Sequence, residues 1–116
     1  YIGLTDADYY TFYHGNIGST DVEEIVPIHE FENVANEYVS PQSTAKWTRW
    51  HRDAYAVGAL ARFNINADQL LPMATEAAER FGLEPGCCNP YFNNVAQLVE
   101  CFQVAEHALG IIDELL

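Results

Sequence analysis

The sequence predicts an α+β fold: a short antiparallel β hairpin or sheet first, then helices, with a long amphipathic helix last. Three observations carry that expectation. Val95, Leu98, Phe102, Ala105, Leu109, Ile112 and Leu116 follow alternating spacings of three and four, which lays one apolar stripe along a helix. Near the other end, Tyr9-Tyr10-Thr11-Phe12-Tyr13-His14 is aromatic and β-favouring and is closed by Gly15-Asn16, a turn pair. The whole chain, 116 residues with 49% hydrophobic and 19% charged side chains, has the size and composition of one globular domain.

Taken in order, residues 9–14 form the first arm of the hairpin and residues 17–22 the second. Ile28, Phe31, Ala35 and Tyr38 share a face at helical spacing, and Ser40-Pro41 stops that helix because a residue before proline is pushed out of the α region. A third strand is expected over residues 54–60. A second helix runs over 68–81, with Pro72 in its first turn, Leu70, Ala74, Ala77 and Phe81 on one face, and Gly82 as its C-cap. Asn89-Pro90 starts the long helix, a capping side chain followed by a proline whose missing N–H costs nothing there. Glu100, Gln103, Glu106, Asp113 and Glu114 fall off its stripe. The expected order is β-β-α-β-α-α, with residues 1–64 β-rich and residues 65–116 helical. Because the long helix shows no C-cap and needs a surface to pack on, the chain reads as one internal segment of a larger, mainly helical subunit.

Charge is lopsided: 17 Asp and Glu against 5 Lys and Arg, a net of -12. Such a surface repels phosphate backbones and anionic headgroups, which argues against nucleic acid and membrane-surface partners. No continuous apolar run approaches the roughly 18 residues of a membrane span. Lys46, Arg49 and Arg52 place three of the five cations within seven residues, and the reading preferred for this island is pairing inside the chain rather than contact with a partner.

Little in the spacing spells chemistry. Cys87, Cys88 and Cys101 form no C-x-x-C, so they read as packed free thiols of a reducing compartment. His14, His29, His51 and His107 are scattered without metal-ligand spacing. Ser43 and Lys46 formally make S-x-x-K without the partners that would assemble an acyl-transfer site. Gly82, Gly86 and Gly110 make no phosphate loop, and Trp47 and Trp50 read as packing or interface residues. No catalytic, cofactor-binding or metal-ligating residue is therefore assigned in this segment.

Three stretches carry a resemblance. Ala56-Val57-Gly58-Ala59-Leu60-Ala61-Arg62-Phe63-Asn64 is similar to the V-G-x-L-A-R-x-N stretch of nickel-iron hydrogenase large subunits. Glu37-Tyr38-Val39 with Ser43-Thr44-Ala45-Lys46 resembles their E-x-V…S-x-x-K element. Asn89-Pro90-Tyr91-Phe92-Asn93-Asn94-Val95-Ala96-Gln97 with Glu100 resembles N-P-F-x-N-N-x-A-x-x-x-E at the start of a long helix. Residues 9–15 are also similar to the Y-x-x-Y-H-G strand of the cytoplasmic NAD(P)-linked and sulfhydrogenase-like branch.

The resemblance implies reversible, heterolytic H2 cleavage in an intact subunit. It implies a nickel-iron centre with CO and cyanide on iron, held by four thiolates from two C-x-x-C motifs near the ends of that subunit. Neither motif is in these residues, so the segment alone is expected to bind no metal and turn over nothing. Its implied partners are the remainder of the large subunit and an iron-sulfur small subunit, and alone it is expected to self-associate or be marginally stable. Two other readings stand beside this one: the related quinone-site subunit of respiratory complexes, which lacks the cysteines, and a stand-alone acidic module docking a basic partner through residues 1–45. Arg62, a cation in an apolar stretch, is expected either to lock a strand end to a helix or to orient groups near the metal centre of the parent.

Overall fold

The computed structural model describes residues 1–116 and has the expected α+β architecture, with a small antiparallel sheet ahead of the helices and a long helix at the end. Strands β1 (Ile2–Thr5), β2 (Asn16–Ser19) and β3 (Val26–Pro27) form one antiparallel sheet in that order, with Gly3 opposite Gly18 and Leu4 opposite Ile17. Strands β4 (Asn36–Val39) and β5 (Lys46–Arg49) form a separate hairpin. Helices α1 (Ala59–Asn66), α2 (Pro72–Arg80) and α3 (Asn93–Leu115) follow, with a kinked 3-10 segment at Ile28–Asn33 and single 3-10 turns at Ala67–Gln69 and Pro90–Phe92.

The helical core is built on small side chains. Ala59, Leu60 and Phe63 of α1, Ala74, Ala77 and Ala78 of α2, and Ala96 and Val99 of α3 are all buried in one cluster with Leu83. Alanine-rich faces let the three helices approach closely, and Leu60 and Phe63 fill the centre, each stabilising the fold by about 2–3 kcal/mol through burial. A smaller cluster of Ile2, Ile17, Val26 and Val34 sits under the first sheet. The sheet lies close on α1: a Cβ added to Gly3 would stand 3.5 Å from the backbone nitrogen of Arg62.

Local chemistry holds where it was readable. Pro72 opens α2, and Gly82 follows it at φ +66°, with Leu83 N–H donating to Ala78 O at 2.9 Å to close the helix end. Asn89 Oδ1 accepts from Tyr91 N–H at 3.1 Å and starts the turn that leads into α3.

Four expectations are corrected. Residues 9–14 are a loop, and the first strand is Ile2–Thr5: the aromatic run is satisfied by burying Tyr10 and Thr11 against the helices, and Thr11 Oγ1 donates to His14 O to turn the chain. The helix expected over 28–38 is not formed: residues 28–33 make a kinked 3-10 segment, and residues 36–39 pair with Lys46–Arg49, with Tyr38 facing Trp47 across the ladder. Residues 54–60 form no strand. Leu60 and Phe63, three apart, with Ala59 beside them, enter the core on one helical face, and Gly58 at φ +101° turns the chain into α1. The order is therefore five strands and then three helices rather than β-β-α-β-α-α, and the helical part begins at Ala59.

The fourth correction concerns α3. Its buried line is Ala96, Val99, Glu100 and Gln103, while Leu98, Phe102, Leu109 and Ile112 of the apolar stripe stay 39–57% exposed. The helix turns a partly polar face inward because that face finds fixed partners there. Gln103 Oε1 accepts from Leu71 N–H and Glu106 Oε2 from Met73 N–H, both at 2.8 Å, which satisfies the start of α2. With its leading turn, α3 spans Pro90–Leu115 and is long and apolar enough to cross a membrane by length and average composition, although polar residues interrupt it before any continuous apolar run reaches that length. Its first half is packed on α1 and α2.

Candidate functional site

The chain's densest polar cluster joins the aromatic loop, α1 and α3. Arg62, on the second turn of α1, directs Nε to Glu100 Oε1 at 2.7 Å and Nη2 to Glu100 Oε2 at 2.8 Å. The Glu100 side chain is only 10% exposed and that of Arg62 27%, so the pair works in a low-dielectric setting with both carboxylate oxygens engaged. Tyr10 donates its hydroxyl to Glu100 Oε1 at 2.9 Å, and the Phe12 ring lies 5.6 Å from the guanidinium carbon. The hydrogen bond to Glu100 raises the Arg62 pKa although partial burial opposes it. Burial, and after it the Glu100 carboxylate, pushes the Tyr10 hydroxyl upward. Both titrations move further above neutral pH, so Arg62 stays charged and Tyr10 stays neutral near pH 7. The cluster clamps the aromatic loop, α1 and α3 together.

Asparagines complete the frame around it. Asn93, at the start of α3, accepts from Leu60 N–H at 3.1 Å and so caps α1 from another helix. Asn64 donates to Cys87 O at 2.9 Å and accepts from Gly86 N–H at 3.0 Å, pinning the loop before α3. Asn66 donates to Leu4 O at 2.9 Å, tying α1 to β1. Two stretches far apart in sequence, 56–64 and 89–100, thus meet through Leu60 with Asn93 and Arg62 with Glu100. Arg62 does lock its segment to a helix, though from α1 rather than from a strand end. Sequence reasoning missed Tyr10 and Glu100. The available signal was an acid at position 100, off the apolar stripe of the long helix and at the end of the 89–100 stretch that carries the resemblance.

The other singled-out residues do not converge. Cys87 is half-buried, Cys88 and Cys101 are exposed, and no three His, Cys, Asp or Glu side chains stand together in a way that could hold a metal ion. This donor set does not fit a centre that needs four thiolates. His14 meets Tyr9, His29 lies 3.7 Å from Glu30, His51 stacks on Trp50 at 4.1 Å, and His107 is exposed on α3. Ser43 Oγ accepts from Ala45 N–H and Lys46 pairs with Glu37 at 2.7 Å, so the S-x-x-K pair is spent on its own hairpin. The cation island is internally matched: besides Lys46, Arg52 reaches Asp21 at 2.8 Å and Arg49 lies 5.4 Å over the Tyr38 ring.

Over 109 residues, 94% of its length, the chain is 33% identical to sulfhydrogenase 1 subunit alpha of Pyrococcus furiosus. The relative is a hydrogenase subunit. The chain spans about a quarter of the length of that sulfhydrogenase subunit, 25% of it. No family model matches the chain, and no solved structure does. The similarity to the sulfhydrogenase subunit runs through all three helices and the frame between them, since only a few residues fall outside it. It supports a hydrogenase-related role, for a segment whose polar residues are committed to holding helices together.

Proposed function

We propose that residues 1–116 are an internal structural segment of the large subunit of a cytoplasmic nickel-dependent hydrogenase, an oxidoreductase that oxidises H2 or reduces protons. The observation that carries this reading is the 33% identity to a sulfhydrogenase alpha subunit along 94% of the chain. In this reading the nickel-iron centre, with its CO and cyanide ligands, is held by thiolates elsewhere in the subunit, because the cysteines present here do not make the donor set. The segment's own contribution is rigidity: the Arg62–Glu100–Tyr10 cluster and the Asn93 cap fix α1, α3 and the aromatic loop as one body. The rest of the large subunit and an iron-sulfur small subunit are the partners this role calls for.

The reading frame on either side of this segment tests the proposal, together with nickel analysis and H2-dependent viologen reduction by the encoded subunit purified with its co-expressed neighbours. A C-x-x-C motif on each side, with nickel and H2 oxidation, is the expected result. A frame lacking both motifs, yielding a nickel-free protein, overturns it in favour of the cysteine-lacking quinone-site subunit. A frame confined to these 116 residues overturns it in favour of an acidic interaction module.

A further inference from the structure

The turn that ends α2 walls in a cavity of about 340 Å³ between α1, α2 and residues 82–85. Its floor is the helical core itself: Phe63, Ala78 and Leu83, each no more than 5% exposed, with Leu70 beside them. Its far wall is held from outside. Gly82 at φ +66° turns the chain out of the helix into Glu84 and Pro85, Cys87 N–H closes on Glu84 O at 3.2 Å, and Asn64 fastens this loop to α1 by donating to Cys87 O and accepting from Gly86 N–H. A loop tied down in this way is kept from falling into the space, so the cavity is formed before anything enters it.

The polar groups around it ask for one kind of guest. Thr75 spends its hydroxyl proton on Leu71 O at 3.1 Å, and the N–H groups of Gly82 and Leu83 go to Glu79 O at 3.1 Å and Ala78 O at 2.9 Å. What the rim then offers is acceptors: the Thr75 oxygen and the carboxylates of Glu79 and Glu84, neither of which has an ion-pair partner. The C-terminal pole of α2 adds negative potential at the same place. No Lys or Arg lines the cavity, and Arg80, next to Glu79 in the chain, lines a separate depression with Met73 and Phe102. An anion would be repelled here, and a wholly apolar molecule would strip water from the carboxylates without replacing it.

We infer that this cavity binds a small organic cation, an ammonium or guanidinium group on an apolar stem, with the stem on Phe63, Leu70 and Leu83 and the charged head at Glu79 and Glu84. The net charge of -12 draws such a cation toward the chain, and the cavity decides where it stays. The site lies apart from the Arg62–Glu100 cluster, shares no residue with it, and does not rest on the function proposed above.

Hexylamine, hexanoate and 1-hexanol share a stem and differ in their heads, and an NMR shift titration of the full encoded chain with each of them tests the inference. Hexylamine is expected to bind one to one with a Kd of about 1 mM or tighter, as a ligand of this size allows, and at least about tenfold tighter than the other two. Its largest shifts should fall on Phe63 and Leu83. Glu79→Gln with Glu84→Gln should weaken hexylamine binding at least about tenfold while leaving helical circular dichroism unchanged, since both residues are exposed. Glu76→Gln with Asp113→Asn removes the same amount of charge outside the cavity and should change binding by less than about twofold. Thr75→Phe, which fills the mouth from an exposed position on α2, should block hexylamine. Weaker hexylamine binding than stated, equal binding of the three heads, or binding that survives the Glu79 and Glu84 changes overturns the inference. A loss that the Glu76 and Asp113 pair reproduces also overturns it, because the overall charge and not the cavity then holds the cation.

Discussion

Arg62 and Glu100, 38 residues apart in the chain, meet edge to edge as a planar fork, Nε on Oε1 and Nη2 on Oε2. Removing one partner strands the other in a mostly buried site. Arg62→Met should lower unfolding stability by about 2–4 kcal/mol, discounted from a fully buried pair because the guanidinium is partly exposed. Arg62→Lys keeps the charge but loses the second contact, and about 1–2 kcal/mol is expected. The double change Arg62→Met with Glu100→Leu should recover most of the loss. Urea unfolding of these proteins together with the single variant Glu100→Leu checks the series; a loss in the double variant equal to the sum of the Arg62→Met and Glu100→Leu losses would show that the residues do not act as a pair.

Asn93 and Gly58 form one device at the start of α1. Asn93→Ala should cost about 0.5–2 kcal/mol, as for other lost caps, and Asn93→Asp should restore most of it. Gly58→Ala should be at least as damaging, because φ is +101° and the added Cβ would stand 3.3 Å from Asn93 Oδ1. Thermal melts rank the three. Wild-type stability in Asn93→Ala would mean that water replaces the cap without loss.

Alkaline pH should single out Tyr10. Its folded pKa lies above the unfolded value near 10, so its contribution is fully present below about pH 10 and is lost as pH rises toward the folded value. Tyr10→Phe is expected to be about 1–2 kcal/mol less stable than wild type at pH 8. Between pH 10 and 11 the gap should narrow by up to about 1.4 kcal/mol, because only the wild type has this titration. Denaturation at several pH values reads the gap directly, and a constant difference would place the Tyr10 hydroxyl outside the buried pair.

Residues 1–116 by themselves should bind nickel far below one equivalent in equilibrium dialysis and show no CO or cyanide stretching bands in the infrared. One tightly held nickel per chain would contradict the reading of Cys87, Cys88 and Cys101.

How far the sequence was legible follows the range of the interactions. Pro72, Gly82 and Asn89-Pro90 act on their own neighbours and mark helix ends, although α2 begins at Pro72 and not at 68 as expected, because Leu70 and Leu71 are extended and separate it from the 3-10 turn Ala67–Gln69. The periodicity of α3 identified a helix but pointed to the wrong buried face. Glu100 and Gln103 go inward only because Arg62, Tyr10 and the Leu71 amide are waiting for them, and those partners lie 32 or more residues away. The aromatic run at 9–14 has strand propensity that tertiary burial overrides. Tyr38 left its expected helix for a ladder with Trp47, a pairing that no local pattern announces. The cluster escaped notice for a related reason: its members come from three separate segments, and only Arg62 looked unusual where it stood.

The β4–β5 hairpin has its own consequence. Its ion pair, Lys46 with Glu37, and its edge-on Tyr38–Trp47 contact lie within the hairpin, and no other strand or helix packs extensively on it. Two strands alone are marginal in water. This arm should therefore open and close many times for each unfolding of the helical body, exchanging its amide protons first and giving a protease its earliest cut, while α1, α2 and α3 survive as a single resistant core.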